Sequence, residues 1–338
     1  MARSWFSRAA PAIVLMLLAP MLTEVLPGAT RFSSIFVLPV EIAVWGGGAV
    51  LIREVVRRNG LGWQSLLLLA LVLAIAEECL IQQTSLAPVV IKLKGVEYAR
   101  WMGVNYVYLL WALAYESVLV VMLPVLLAEL IFPDRRDAGW LSKTGGVIVS
   151  LFFALGCFLA WFSWTQFARV NVFHLPPYTP PLVAVLIAIA AMVGLALLAL
   201  GPRLKAFAPA APKRPPSPWL VALGGIVWSV LLYGMVLLAF GIAPQVPPVA
   251  PVGGWIIMVA AVLGVLPRWT AHVDWRPAHR YALVFGVVGG AMAVSFVGFI
   301  WAAPADLWFK IVTNVIAVAL LVRLGLSLRR SASAPRRS

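Results

Sequence analysis

Hydrophobic residues in this chain gather in long runs, and polar residues fall in the short gaps between them. A helix needs roughly 20 apolar residues to cross the hydrocarbon core of a bilayer. Runs of about that length lie at 9–27, 32–52, 63–83, 104–131, 144–165, 181–200, 219–242, 251–267, 281–302 and 306–326, the eighth being the shortest. None alternates with the two-residue period of a membrane β-barrel. The pattern predicts an all-α polytopic membrane helix bundle of about ten spans.

Composition agrees. Of 338 residues, 63% are hydrophobic and 11% charged, against roughly a quarter charged in a soluble domain. A water-soluble fold is excluded. The 15 Trp and 7 Tyr suit a chain anchored at two membrane–water interfaces.

A net charge of +14 raises the question of nucleic acid. The basic residues occur in short clusters between apolar runs, however, and this is how topology determinants and lipid-headgroup contacts are distributed. Membrane lipids are therefore the expected partners, and nucleic acid is not. With the N-terminus in the cytoplasm, the outer segments keep only Arg31, Lys92, Lys94, Arg100, Arg169 and Lys310 of the 26 basic residues. The positive-inside rule then places both termini on the cytoplasmic side of an inner cell membrane. Arg3 and Arg8 ahead of an apolar run also describe a signal peptide. Pro20, Glu24 and the lack of a clean small-x-small site favour an uncleaved first span.

The expected organisation is a six-span region (1–200), a Pro/Ala/Lys/Arg-rich cytoplasmic linker (201–218), a four-span region (219–328) and a disordered basic tail (329–338). The amphipathic outer loop 84–104 is expected along the membrane surface or folded over the spans. The outer loop 165–180, with two Pro-Pro pairs, is expected to be extended. No internal repeat is evident, and nothing signals an oligomeric state.

Five glutamates interrupt the apolar runs: Glu24, Glu41, Glu77, Glu78 and Glu116. A carboxylate in a bilayer costs roughly 2.5–3.5 kcal/mol on insertion scales, so such groups usually face the bundle interior. At a helix rise of about 1.5 Å per residue, Glu41 lies roughly 13 Å and Glu116 roughly 16 Å below the outer boundary. Glu24 and the Glu77-Glu78 pair lie roughly 8–10 Å deep. Four helices thus aim carboxylates at one band in the outer half of the membrane.

Helical spacing groups further residues with them. Ala70, Ala74, Glu78 and Gln82 share a face, as do Asn105, Tyr108, Ala112 and Glu116, with Tyr115 alongside. Glu41, Trp45 and Gly48 form a third stripe, and Gly46-Gly47-Gly48 permits a bend or a close contact. These stripes are expected to surround a wet cavity. Glu77 and Glu78 point about 100° apart, so they need not share a role. Carboxylates crowded together seldom all carry charge, so Arg53, Lys92, Lys94 and Arg100 are considered as counter-charges. The competing reading is a hydrogen-bonded knot that fixes helix packing.

Other polar groups read as structural. Glu54, Glu129, Asp134 and Asp137, beside arginines, are expected at solvated inner helix ends, and spans five to ten read as scaffold. His174, His272 and His279 lie in loops on both sides, and Cys79 and Cys157 sit within apolar runs. No metal site and no cofactor is expected.

The stretch Ala76-Glu77-Glu78-Cys79-Leu80-Ile81-Gln82 ends one span, and Glu116 follows in the next. This arrangement resembles the CPBP family of CAAX proteases and bacteriocin-processing enzymes, intramembrane proteins with a Glu-Glu-x3-Arg motif and histidines in later helices. The resemblance implies a glutamate-dependent intramembrane protease, with Glu77 or Glu78 activating water. Here Gln82 occupies the arginine position, and Glu116 stands where a histidine is expected. Three readings stay open: a carrier-like protein binding a proton, cation or small solute; a CPBP-like protease or inactive relative; and a structural or partner-binding membrane protein.

Overall fold

In a chain this apolar, every backbone N–H and C=O must be bonded within its own segment, and the helix is the solution available. The computed structural model describes residues 5–88, 99–201, 211–243 and 245–333. Among them, nine helices are long and apolar enough to cross a membrane, and a shorter apolar helix precedes them. In chain order they are α1 (Ala9–Val25), α2 (Phe32–Arg58), α3 (Trp63–Ile81), α4 (Tyr106–Ile131) and α5 (Lys143–Val172). There follow α6 (Leu182–Leu200), α7 (Pro218–Gly241), α8 (Val249–Thr270), α9 (Pro277–Phe299) and α10 (Pro304–Arg330). The protein is an all-α multi-pass bundle. A two-residue antiparallel hairpin, Arg100–Trp101 with Val104–Asn105, precedes α4.

Several ends move relative to the sequence reading. α2 continues to Arg58 and α5 to Val172, because the charged and polar residues there find partners inside the protein. The extended proline-rich outer segment consequently begins only after Phe173. The eighth run grows to a full 22-residue helix, with Pro267 near its end. His279 belongs to the first turn of α9, where its Nδ1 accepts from the Arg276 N–H and its ring stacks on Trp275. Lys92, Lys94, the middle of the amphipathic outer loop (89–98), half of the 201–218 linker and the end of the tail lie outside the described residues.

Lipid removes the usual hydrophobic contrast between inside and outside, so helices pack where small residues let backbones approach. At Gly46 a β-carbon would sit 2.1 Å from the Met16 carbonyl oxygen, which marks the α1–α2 crossing. Gly156 meets Ala43 where α5 crosses α2, and Gly286 meets the Ala222 carbonyl where α9 crosses α7. Buried hydroxyls reinforce such crossings: Ser65 donates to the Ala199 carbonyl and Ser229 to that of Val287, each at 2.7 Å.

About half of the central residues of α2, α3, α4 and α9 are buried, against a small fraction in α5, α6, α8 and α10. Among spans five to ten, read from sequence as scaffold or a lipid-facing partner surface, α9 is the one buried as deeply as the N-terminal helices. One apolar cluster joins Leu22, Leu119 and Leu123 of the N-terminal helices to Leu232, Trp255 and Val288 of the later ones.

The arginine-rich end also differs from expectation. Glu54 and Glu129 are buried, not solvated, because the segment after α4 folds back over the end of α2. Arg53 is wholly enclosed and donates to the carbonyls of Arg135, Arg136 and Ala138, with its guanidinium 3.5 Å from the Trp140 ring. Arg57 holds Glu129 through two 2.7 Å bonds, and Glu54 accepts from the N–H groups of Trp140 and Leu141. Asp137 is paired by Arg136, which holds its carboxyl below the usual range.

Candidate functional site

The helices widen where the glutamates sit. Six π-helical segments occur among the described residues, and four carry or adjoin the glutamates: Met21–Val25, Ile42–Gly46, Glu77–Ile81 and Glu116–Met122. Glu24 lies within the first, Glu41 immediately before the second, and Glu77 and Glu116 begin the other two. A π turn shifts the helical phase by one residue and re-aims the side chains beyond it; it recurs at functional sites. In α1, Pro20 removes a backbone donor just before the turn.

All five carboxyl groups come together. Glu41, Glu77, Glu78 and Glu116 are buried, and Glu24 is half-buried. Glu41 and Glu77 act electrostatically on or with Glu24, while Glu78 and Glu116 lie within hydrogen-bond reach of each other. Two carboxyl groups in contact need a proton between them, since each ionised group only accepts.

Their partners differ. Thr30 donates to Oε1 of Glu41. Thr84 and Ser85, just past the end of α3, both donate to Oε2 of Glu78, the first at 2.7 Å. The Tyr115 hydroxyl lies between the Thr23 carbonyl and Oε1 of Glu24, 3.2 Å from the latter. Glu77 is different. It is 1% exposed, and neither carboxyl oxygen has a hydrogen-bond partner among the described residues. The 100° divergence predicted for the adjacent pair is realised as two environments: Glu78 turns to Glu116, Thr84 and Ser85, whereas Glu77 stands near Glu24 and Cys157.

The residues of the three stripes take different places. Ala70, Ala74 and Ala112 are buried, and Trp45 sits in the core of α1–α3 packing. Tyr108 joins the site through Thr84 and the fields of Glu78 and Glu116. Asn105 serves as the N-cap of α4, accepting from the Tyr108 N–H at 3.0 Å. Gln82 is only half-buried, and Gln83, with φ of 60°, turns the chain out of α3. Around Glu41, Glu78 and Glu116 there are direct contacts with hydroxyls and a second carboxyl, while Oε2 of Glu41 and of Glu116 has no hydrogen-bond partner among the described residues. Arg53 is engaged at the opposite end of α2, and Arg100 donates to the carbonyls of Leu86 and Gly103 in the hairpin loop. Neither takes the counter-charge role considered for it.

Sequence reasoning did not identify Thr30, Thr84 or Ser85 as partners, although Thr84-Ser85 directly follows the glutamate span. It also placed Lys310 at an outer boundary. Lys310 is 1% exposed, and its ammonium donates to the Leu26 and Pro27 carbonyls and to Ser295. Nearby, Asp306 accepts from the backbone and hydroxyl of Ser33. Together these clamp the α1–α2 turn to α9 and α10, and so fix the position from which Thr30 reaches Glu41.

Among the described residues no group of three or more His, Cys, Asp or Glu is arranged to hold a metal ion. The cluster can bind, share and exchange protons. Replacing Tyr115 with Phe is expected to cost about 0.6 kcal/mol, the average for a polar contact between membrane helices, while freeing Glu24. Denaturation of the variant in mixed micelles checks this. No family model, curated protein or solved structure matches the chain, so the geometry itself carries the functional reading.

Proposed function

We propose that this multi-pass membrane protein handles protons at an intramembrane carboxyl cluster, and that proton exchange there is coupled to movement of a small solute. One observation carries the reading: Glu77 is buried with both oxygens unpartnered among the described residues, beside a Glu78–Glu116 pair that needs a shared proton. Ionisable groups inside membrane bundles mark ion pathways and proton relays. The π turns give the supporting helices a local irregularity at the same depth. Half-buried Glu24 offers a step between Glu77 and the surroundings.

The test uses the purified full chain. A hydrophobic carbodiimide reacts with protonated carboxyl groups in apolar surroundings. Labelling of Glu77 is expected, faster at acid pH, and absent in Glu77→Gln. In proteoliposomes with an imposed pH gradient, wild type is expected to collapse the gradient faster than Glu77→Gln, the Glu78→Gln/Glu116→Gln double variant or protein-free vesicles. A set of small solutes then identifies what accelerates the collapse. Unlabelled Glu77 together with equal decay in all four preparations would sink the proposal and leave the cluster as a packing knot.

A further inference from the structure

One unfilled space lies away from the five clustered glutamates, none of which lines it. A cavity of about 430 Å³ opens between α3, α4, α7, α8 and α9 toward the arginine-rich end of the bundle. Its walls are almost wholly apolar, with Leu66, Met122, Leu126, Trp228, Val262 and Leu283 among them. Leu119 and Leu232, both fully buried, pack in the same cluster as the cavity walls, and none of the five glutamates lines the cavity, so the carboxyl cluster and the cavity are separate sites.

The mouth has a different chemistry. Trp63, Trp269 and Trp275 line it at the ends of α3 and α8 and just before α9. Tryptophan at helix ends marks headgroup depth. Arg57 and Glu129 complete the rim, already bound to each other. Arg280, one turn before Leu283 on the same face of α9, stands within electrostatic reach of Arg136, Glu129, Arg57 and Asp137. Both carboxylates are already engaged, Glu129 by Arg57 with Arg53 3.4 Å away and Asp137 by Arg136. The Arg280 guanidinium has no hydrogen-bond or ion-pair partner within bonding distance among the described residues, although it feels the fields of Glu129 and Asp137. The rim therefore carries excess positive charge above an apolar slot.

An occupant complementary to both parts has a hydrocarbon tail and an anionic head. Water would be poorly accommodated by such walls, which offer it few polar partners. Guanidinium groups match phosphate oxygens in a fixed fork. We propose that this cleft is a binding site for an anionic phospholipid of the cytoplasmic leaflet, with an acyl chain between α4, α7 and α9 and its phosphate at Arg280 beside Arg57.

Two substitutions test this. A β-carbon at Gly224, which lines the cleft, meets nothing within 4 Å, so Gly224→Phe fills the slot without displacing backbone. Arg280→Gln removes the free cation and strands no partner. Delipidated protein in neutral detergent is titrated with phosphatidylglycerol, phosphatidylcholine of the same chains, or inorganic phosphate, and thermal stability is read. Phosphatidylglycerol is expected to stabilise wild type saturably, phosphatidylcholine to do so with lower affinity, and phosphate not at all. Arg280→Gln is expected to weaken phosphatidylglycerol roughly fivefold, the contribution of one basic residue near a lipid surface, and so erase the preference. Gly224→Phe is expected to abolish both responses. Equal responses to the two lipids, persistence of the preference in Arg280→Gln, undiminished binding in folded Gly224→Phe, or a full effect of inorganic phosphate would each overturn the proposal. If Gly224→Phe does not fold, native mass spectrometry decides: phosphatidylglycerol retained by wild type and lost from Arg280→Gln supports the site, and equal retention refutes it.

Discussion

Replacing Arg53 with Met is expected to destabilise the protein by about 3–5 kcal/mol, the cost of removing one partner from a buried charged network. Arg53 has no exposed surface, and its guanidinium satisfies carbonyls of Arg135, Arg136 and Ala138 while lying 3.4 Å from Glu129. Methionine would fill much of the volume but take the guanidinium donors from the Arg136 and Ala138 carbonyls, while the Arg135 carbonyl keeps the Trp140 indole N–H. It would also leave Glu129 dependent on Arg57 alone. The ring of Trp140 would lose the cation stacked against it. Arg53→Lys is expected to recover only part of the loss, because an ammonium cannot reproduce the planar fork. Asp137→Asn, on the exposed rim of the same end, is expected to change stability little, since exposed ion pairs contribute about 0–1 kcal/mol. Chemical denaturation in mixed micelles ranks the three. An Arg53→Met variant as stable as Asp137→Asn would show that the enclosed arginine is not what holds the α4–α5 segment against α2.

The second large effect is expected at Gly46. A β-carbon there would lie 2.1 Å from the carbonyl oxygen of Met16, and this contact is backbone, not the movable end of a side chain. Gly46→Val must therefore push α1 away from α2. Overpacking of this kind costs about 1–3 kcal/mol and sometimes more. The same crossing sets the distance between Glu24 on α1 and Glu41 on α2, which interact electrostatically. The variant is thus expected to lose stability and to alter carbodiimide reactivity at the glutamates. Gly194→Val is the matched control, because a β-carbon there meets nothing within 4 Å. If the two valine variants unfold alike, the tight α1–α2 crossing is wrong.

Much of the site was legible because helix rise is fixed. Counting about 1.5 Å per residue from each apolar boundary put Glu24, Glu41, Glu77, Glu78 and Glu116 at similar depth, and in the structure they form one interacting group. Face assignments were less secure. A π turn shifts the phase of every later residue by one position, and neither Glu77 nor Glu116 announces it in sequence. The hydroxyl partners depended on chain reversals after α1 and α3, which periodicity does not describe. Local charge patterns misled at the other end. Glu54 among arginines reads as a wet helix terminus, and only the fold-back of residues 133–141 encloses it.

The sequence by itself determined the all-α membrane class, the positions of the apolar helices and the placing of five carboxyl groups within them. These follow from bilayer thickness, backbone hydrogen bonding and helix rise, all of them properties of single segments. Tertiary structure decided which helices are central: α9 and α10 have the same mean hydropathy of 2.1 over their apolar stretches, yet α9 is half buried and α10 mostly exposed. It also decided that Glu77 is left unpartnered, that Lys310 and Arg53 are enclosed, and that an apolar cleft meets a basic rim. The reason is physical. A side chain facing lipid and one facing another helix meet almost the same apolar medium, so hydropathy cannot separate them; close backbone approach at Gly46, Gly156 and Gly286, together with hydrogen bonds distant in sequence, does.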